Sequence, residues 1–129
     1  SLDTVTELDG YYGDSAKTFA IGEIDEESRK LLEVTEKSRE IGIEAAVVGN
    51  RLGDLGHAVQ SYVEKNGFSV VRDFAGHGVG LDLHEEPMIP NYGRRGRGLK
   101  IENGMVLAIE PMVNVGTYKV AIMPMVGLL

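Results

Sequence analysis

Asp3, Asp14, His77 and Glu110 are the side chains whose types and settings suit a divalent cation. The Asp9-Gly10 pair lies between segments carrying Val, Thr, Tyr and Phe, a strong signal for a two-residue hairpin turn. With that turn, residue 8 faces residue 11 and residue 3 faces residue 16. Asp14 then shares a strand face with Asp3 as its diagonal neighbour, about 7 to 8 Å away between backbones. Two carboxylates so placed repel each other unless a cation lies between them, and hard divalent ions favour carboxylate oxygen. Acids are also routine on a solvated hairpin face, so this pair alone allows both readings.

His77 sits between Gly76 and Gly78 in FAGHGVG, where the missing side chains let the imidazole meet a ligand or another backbone. A satisfied structural histidine fits the same setting. Glu110 follows the apolar run Met105–Ile109 and precedes Pro111, which puts a carboxylate at the end of a buried strand. Unpaired burial is costly, so that carboxylate needs a partner, either a metal or an arginine. The run His84-Glu85-Glu86-Pro87 is not the helical HExxH zinc motif, because position 88 is Met and Pro87 breaks a helix. His57 carries none of these signals and reads as structural or exposed.

The elements that must position these groups follow from pattern. Asp25 is an N-cap candidate ahead of Glu26 and Glu27, and Leu31, Leu32, Val34, Ile41 and Ala45 recur at helix-like spacing. This predicts a long amphipathic helix ending near Gly49-Asn50. A second helix is predicted from about Leu52 to Asn66, stopped by Gly67, with Gly53 and Gly56 weakening its first turn. Phe68 to Val71 reads as a strand, the stretch to Pro90 as extended and glycine-punctuated, and Met105–Ile109 as a short buried strand after the Asn103-Gly104 turn. A hairpin, two helices and then several strands give an α+β class, with helices packed on one face of a sheet. At 129 residues the chain reads as a single domain, 1–129, with no internal repeat or linker.

Bulk composition narrows the partners. Lys and Arg number 13 against 20 Asp and Glu, and the resulting formal charge of -7 disfavours nucleic acid or an anionic membrane as the general partner. The basic cluster Arg94, Arg95 and Arg97 alternates with Gly93, Gly96 and Gly98 and reads as a solvated loop, with an anion contact as the alternative. With no cysteine, any metal must be held by nitrogen and oxygen, and a reducing compartment is expected. No run of about eighteen apolar residues and no charged-then-apolar leader is seen, so the expected location is cytoplasmic.

The segments LDGYYGDSAKTF, VVRDFAGHGVGLDLHEEPMIPNYG and GMVLAIEPMVN, in that order, resemble the methionine aminopeptidase family, especially its bacterial type I branch, over residues 1 to about 120. The resemblance implies a partial pita-bread fold, with a curved, mostly antiparallel sheet. It also implies two divalent ions (Co, Mn, Fe, Zn or Ni) and hydrolytic removal of the initiator Met from a peptide or nascent chain. By the same resemblance Asp3, Asp14, His77 and Glu110 would be metal ligands, with Asp14 bridging both ions and Glu110 also the general base. His84 would donate a hydrogen bond to the scissile carbonyl oxygen or the developing oxyanion. Tyr11, Tyr12 and Leu83 would be the nearby candidates for the methionine pocket, with ordinary packing as the alternative.

The chain also departs from that pattern. The family carries a further bridging Glu, whereas no acidic residue follows Glu110 here and the text after Val120 becomes AIMPMVGLL. Four ligands in place of five would weaken the second ion site most. The family's N-terminal part carries a catalytic-site His, and no His precedes His57. These departures suggest a truncated, aberrant or engineered piece, and a catalytically silent module as the competing reading. Strands left as edges and the apolar tail Ala121–Leu129 would then favour self-association.

Overall fold

A computed structural model describes residues 1–123 of the chain. Its first element is a hairpin of β1 (Leu2–Leu8) and β2 (Tyr11–Lys17). Asp9 and Gly10 both have positive φ, 52° and 81°, the combination that matches a two-residue turn to the twist of antiparallel strands. The register is the expected one: Leu8 faces Tyr11, Asp3 faces Ala16 and Val5 faces Asp14. All of β1 is exposed. The hairpin is tied to the rest of the molecule by the Tyr12 N–H, which donates to the Gly80 carbonyl at 2.8 Å, and by a Lys17–Glu36 ion pair at 3.1 Å.

Helix α1 (Glu26–Ala45) starts at Asp25, whose carboxylate accepts from the Ser28 N–H at 2.8 Å. The helix stops short of Gly49-Asn50 because the Asn50 side-chain amide takes the Ala45 carbonyl at 2.9 Å. The Asn50 carbonyl in turn accepts from the Ile101 N–H at 2.8 Å, so the chain is already turning toward another segment. The buried stripe of α1 is Val34, Ser38 and Gly42, four residues apart on one face. Leu31, Leu32 and Ile41 are only half-buried. Small residues at that seam bring the neighbouring helix close: a Cβ on Gly42 would lie 3.0 Å from Val59 and 3.2 Å from Ile109.

That neighbour is α2 (Leu52–Lys65), which buries Leu55, Val59 and Val63 completely. Each such side chain contributes roughly 1.5–3 kcal/mol relative to exposure. After the Gly67 stop come β3 (Phe68–Val70), β4 (Gly76–Gly78), β5 (Glu85–Ile89), β6 (Leu107–Ala108) and β7 (Val113–Val115). Strand β3 pairs with β7, and β4 lies between β5 and β6, all antiparallel. The core gathers Val34, Leu52, Leu55, Val59, Val63, Phe68, Val70, Ile89 and Ile101, joining both helices to the strands. Strand β6 is shorter than the Met105–Ile109 expectation, and Val106 is 62% exposed.

The glycines that weaken α2 on propensity have a packing role. A Cβ on Gly53 would lie 2.4 Å from the carbonyl oxygens of Arg94 and Arg97, and one on Gly56 would lie 2.4 Å from that of Tyr92. The Arg94–Arg97 loop, its side chains solvated, therefore uses its backbone to cap the helix: the Leu52 and Gly53 N–H groups donate to Leu99 and Arg97 at 2.9 Å each. Asp54 closes the arrangement by accepting from the Gly96 N–H and the Arg51 N–H, both at 2.8 Å. Those two bonds hold the Asp54 carboxyl below its ordinary value. A depressed carboxyl stabilises the fold above its unfolded pKa and stops doing so as pH falls through its folded pKa. The stability deficit of Asp54→Asn is therefore expected to be full at neutral pH and to close below about pH 4, read from urea melts across that range.

Ala121, Ile122 and Met123 are exposed, and the rest of the expected apolar tail, 124 to 129, lies outside the described residues.

Candidate metal centre

His77 is the middle residue of β4 and is 9% exposed. Its flanking glycines are demanded by backbone contact. A Cβ on Gly76 would lie 2.1 Å from the Ala108 oxygen in β6, and one on Gly78 would lie 2.3 Å from the Glu86 oxygen in β5. The ring between them is oriented by Nδ1, which lies 2.8 Å from the Gly78 carbonyl oxygen. A carbonyl only accepts, so Nδ1 carries the proton, and in the neutral ring Nε2 presents its lone pair.

That Nε2 is buried and has no hydrogen-bond partner among the described residues. It lies 3.4 Å from Asp14 Oδ2 and 3.3 Å from Glu110 Oε1. A lone pair facing two carboxylate oxygens is repulsive until a proton or a metal ion sits among them. The donor set, imidazole nitrogen with carboxylates, fits a divalent transition metal.

His84 adds a further nitrogen, since one donor atom each from Asp14, His77 and His84 lie within 4.8 Å of one another. The two imidazole rings are 4.3 Å apart and tilted by 55°. Glu110 stands outside that tight trio but against its central histidine. Burial pushes the Glu110 carboxyl above its ordinary value, the nearby His77 opposes this, and the charges of Asp14 and Asp3 add to it. Asp3 thus acts on Glu110 through space, and it is not one of the three most closely clustered groups.

A cavity of about 450 Å³ opens beside His77 and His84, with Arg72, Phe74, Met88 and Tyr92 among its walls. Tyr11 instead borders a second cavity of about 320 Å³, with Leu81 and Met105. Tyr12 is half-buried and linked to Gly80 through its backbone, and Leu83 is half-buried.

Asn91 is the positioning residue that sequence reading passed over. It is 1% exposed, and its side-chain amide donates to the Glu110 carbonyl at 2.9 Å. This bond ties the segment after β5 to the segment after β6, on either side of His77. An Asn between Pro90 and Tyr92 reads as a turn residue, so nothing local announces that role. Asn91→Ala leaves the Glu110 carbonyl without this donor and is expected to destabilise the protein by about 1–3 kcal/mol, measured by chemical denaturation.

The family model for metallopeptidase family M24 matches residues 1–126. The chain belongs to that family. Methionine aminopeptidase of Clostridium acetobutylicum is 60% identical over 120 residues, 93% of this chain and 48% of that protein. Methionine aminopeptidase 1 of Bacillus subtilis is 54% identical over 117 residues, 91% of this chain and 47% of that protein. The crystal structure of methionine aminopeptidase from Thermotoga maritima superposes with a TM-score of 0.91 at 47% identity, covering 94% of this chain and 49% of that one. The chain thus spans about half the length of the relatives it matches. The M24 fold is accordingly the partial, α+β pita-bread arrangement that the motif resemblance implied.

Proposed function

We propose that this M24 chain carries the metal-binding and proton-transfer groups of a methionine aminopeptidase, hydrolysing the first peptide bond of a peptide or nascent chain that begins with Met. The observation that carries the reading is the buried Nε2 of His77, without a hydrogen bond among the described residues and aimed at the carboxylates of Asp14 and Glu110. Asp14, His77 and Glu110 would hold the first divalent ion, and Asp3 with Asp14 would complete a weaker second site. His84 sits close enough to serve either as a further ligand or as the donor to the substrate carbonyl.

Bound there, divalent ions supply Lewis acidity, polarising the scissile carbonyl and lowering the pKa of water. Glu110, which lies against His77 in that site, would take the proton from the attacking water and return it to the departing amine. His84 donates toward the carbonyl oxygen, where negative charge grows only in the transition state. The surrounding acids draw in the substrate's terminal ammonium.

A cytoplasmic location is part of the same proposal. So is self-association through the uncovered hairpin, where Leu2, Leu8 and Tyr11 are 65%, 77% and 62% exposed. Sedimentation at high concentration should give a dimer or larger species, and a monomer mass would remove that part.

The function is tested by titrating the chain with Co(II) or Mn(II) and following hydrolysis of a Met-Gly peptide. Stoichiometric binding with turnover that disappears in Glu110→Gln supports the proposal. Binding without turnover would replace it by a catalytically silent metal-binding module, and no binding would overturn the metal centre itself.

A further inference from the structure

Arg72 stands at the wall of the cavity that contains His77 and His84. Its guanidinium carbon lies 4.2 Å from the centroid of the Tyr118 ring and 5.6 Å from that of Tyr92. Two aromatic contacts restrict this side chain, whose planar fork of N–H donors would otherwise sample many rotamers. Every ion pair among the described residues involves other groups, so no described carboxylate is paired with Arg72.

The remaining charge on the cavity wall is acidic. Asp73, Glu85 and Glu86 share the lining with Arg72, and the Glu85 carboxylate is partly engaged by the Asp82 N–H at 2.9 Å. A positively charged, held guanidinium in a cavity otherwise walled by acids gives the space a direction. The ammonium end of a peptide is favoured toward the acids, and a carboxylate is favoured toward Arg72.

We propose that Arg72 is a carboxylate subsite for the part of the peptide beyond the scissile bond, receiving a C-terminal carboxylate or an acidic side chain through its guanidinium. This rests on the reading that the cavity beside His77 and His84 admits a peptide. Planar N–H pairs match carboxylate geometry, and the bond is charge-assisted, so the subsite selects rather than merely attracts. Its discrimination decreases with added salt because the site is open to solvent.

The test uses tri- and tetrapeptides beginning with Met-Ala whose first peptide bond is reduced to an amine, so that binding is measured without hydrolysis. Each length is prepared as the free acid, as the C-terminal amide, and as the amide with a Glu at the last position. Affinity is read by calorimetry with Mn(II) present. In the wild-type chain at least one acid-bearing peptide should bind about tenfold tighter than its neutral amide. The free acid and the Glu amide identify which carboxylate source is preferred.

In Arg72→Gln that preference should fall below about twofold while the neutral amide binds as before, which a purely structural role for Arg72 would not produce. Arg72→Lys keeps the charge without the fork and should retain an intermediate preference, providing the readout if the glutamine variant fails to fold. No preference at either length in the wild type, or a preference that survives both substitutions, overturns the subsite. Failure of every peptide to bind, neutral amides included, overturns the peptidase reading as well, so the two failures are distinguishable.

Discussion

His77→Asn is expected to weaken divalent-ion binding by more than about a hundredfold while leaving the chain folded. Losing a group that merely supports a ligand typically lowers metal affinity by about 10- to 100-fold, and His77 is the proposed ligand itself. It is also the group around which Asp14 and Glu110 converge, at 3.4 and 3.3 Å. Without its imidazole the nitrogen against which both carboxylates converge is gone, and only His84 is left to offer one beside Asp14. The fold should tolerate the change, because the buried Nε2 that is lost has no hydrogen bond among the described residues and the Asn side-chain amide, attached at the same carbon as Nδ1, can replace the Nδ1–H donated to the Gly78 carbonyl. Co(II) absorption reports the affinity, since the visible bands depend on the ligands, and circular dichroism reports the fold. An unchanged Co(II) affinity in a folded His77→Asn chain would falsify the proposed centre.

Much of the geometry around this proposed centre was legible because it depends on local pattern. The Asp9-Gly10 turn determines the hairpin register, and the register puts Asp3 and Asp14 on one face without knowledge of the rest of the fold. The N-cap at Asp25 and the stop at Gly67 are likewise short-range signals. What escaped depends on contacts between distant segments. Gly53 and Gly56 look like defects in a helix until the backbone of Tyr92, Arg94 and Arg97 is packed against them. Ser38 and Gly42 form the α1 seam because α2 approaches there, whereas hydrophobicity favoured the larger Leu32 and Ile41. Asn91 has its role only once the segment after β5 reaches the Glu110 carbonyl. The family resemblance places His84 at the site as a hydrogen-bond donor to the substrate, and only its closeness to Asp14 and His77, one ring away in space, adds it as a potential metal ligand.

Gly76→Ala should be the most damaging substitution of a residue that carries no functional group. Its added Cβ would lie 2.1 Å from the Ala108 oxygen, a backbone atom of a paired strand that has no rotamer to change. Overpacking typically costs about 1–3 kcal/mol, and a clash of this kind with backbone belongs at or above the upper end. Gly22→Ala is the matched control: it has a φ of 69° and nothing within 4 Å, so only backbone strain of about 1–2 kcal/mol applies. The two differ further in what they do to the site. Strand β4 relieves the clash by separating from β6, and β6 leads into Glu110, so His77 and Glu110 must move apart from their 3.3 Å contact. Gly76→Ala is therefore expected to lower both the urea midpoint and the divalent-ion affinity, whereas Gly22→Ala lowers the midpoint modestly and leaves the affinity alone. Equal affinities for the two variants would show that the spacing between β4 and β6 does not control the centre.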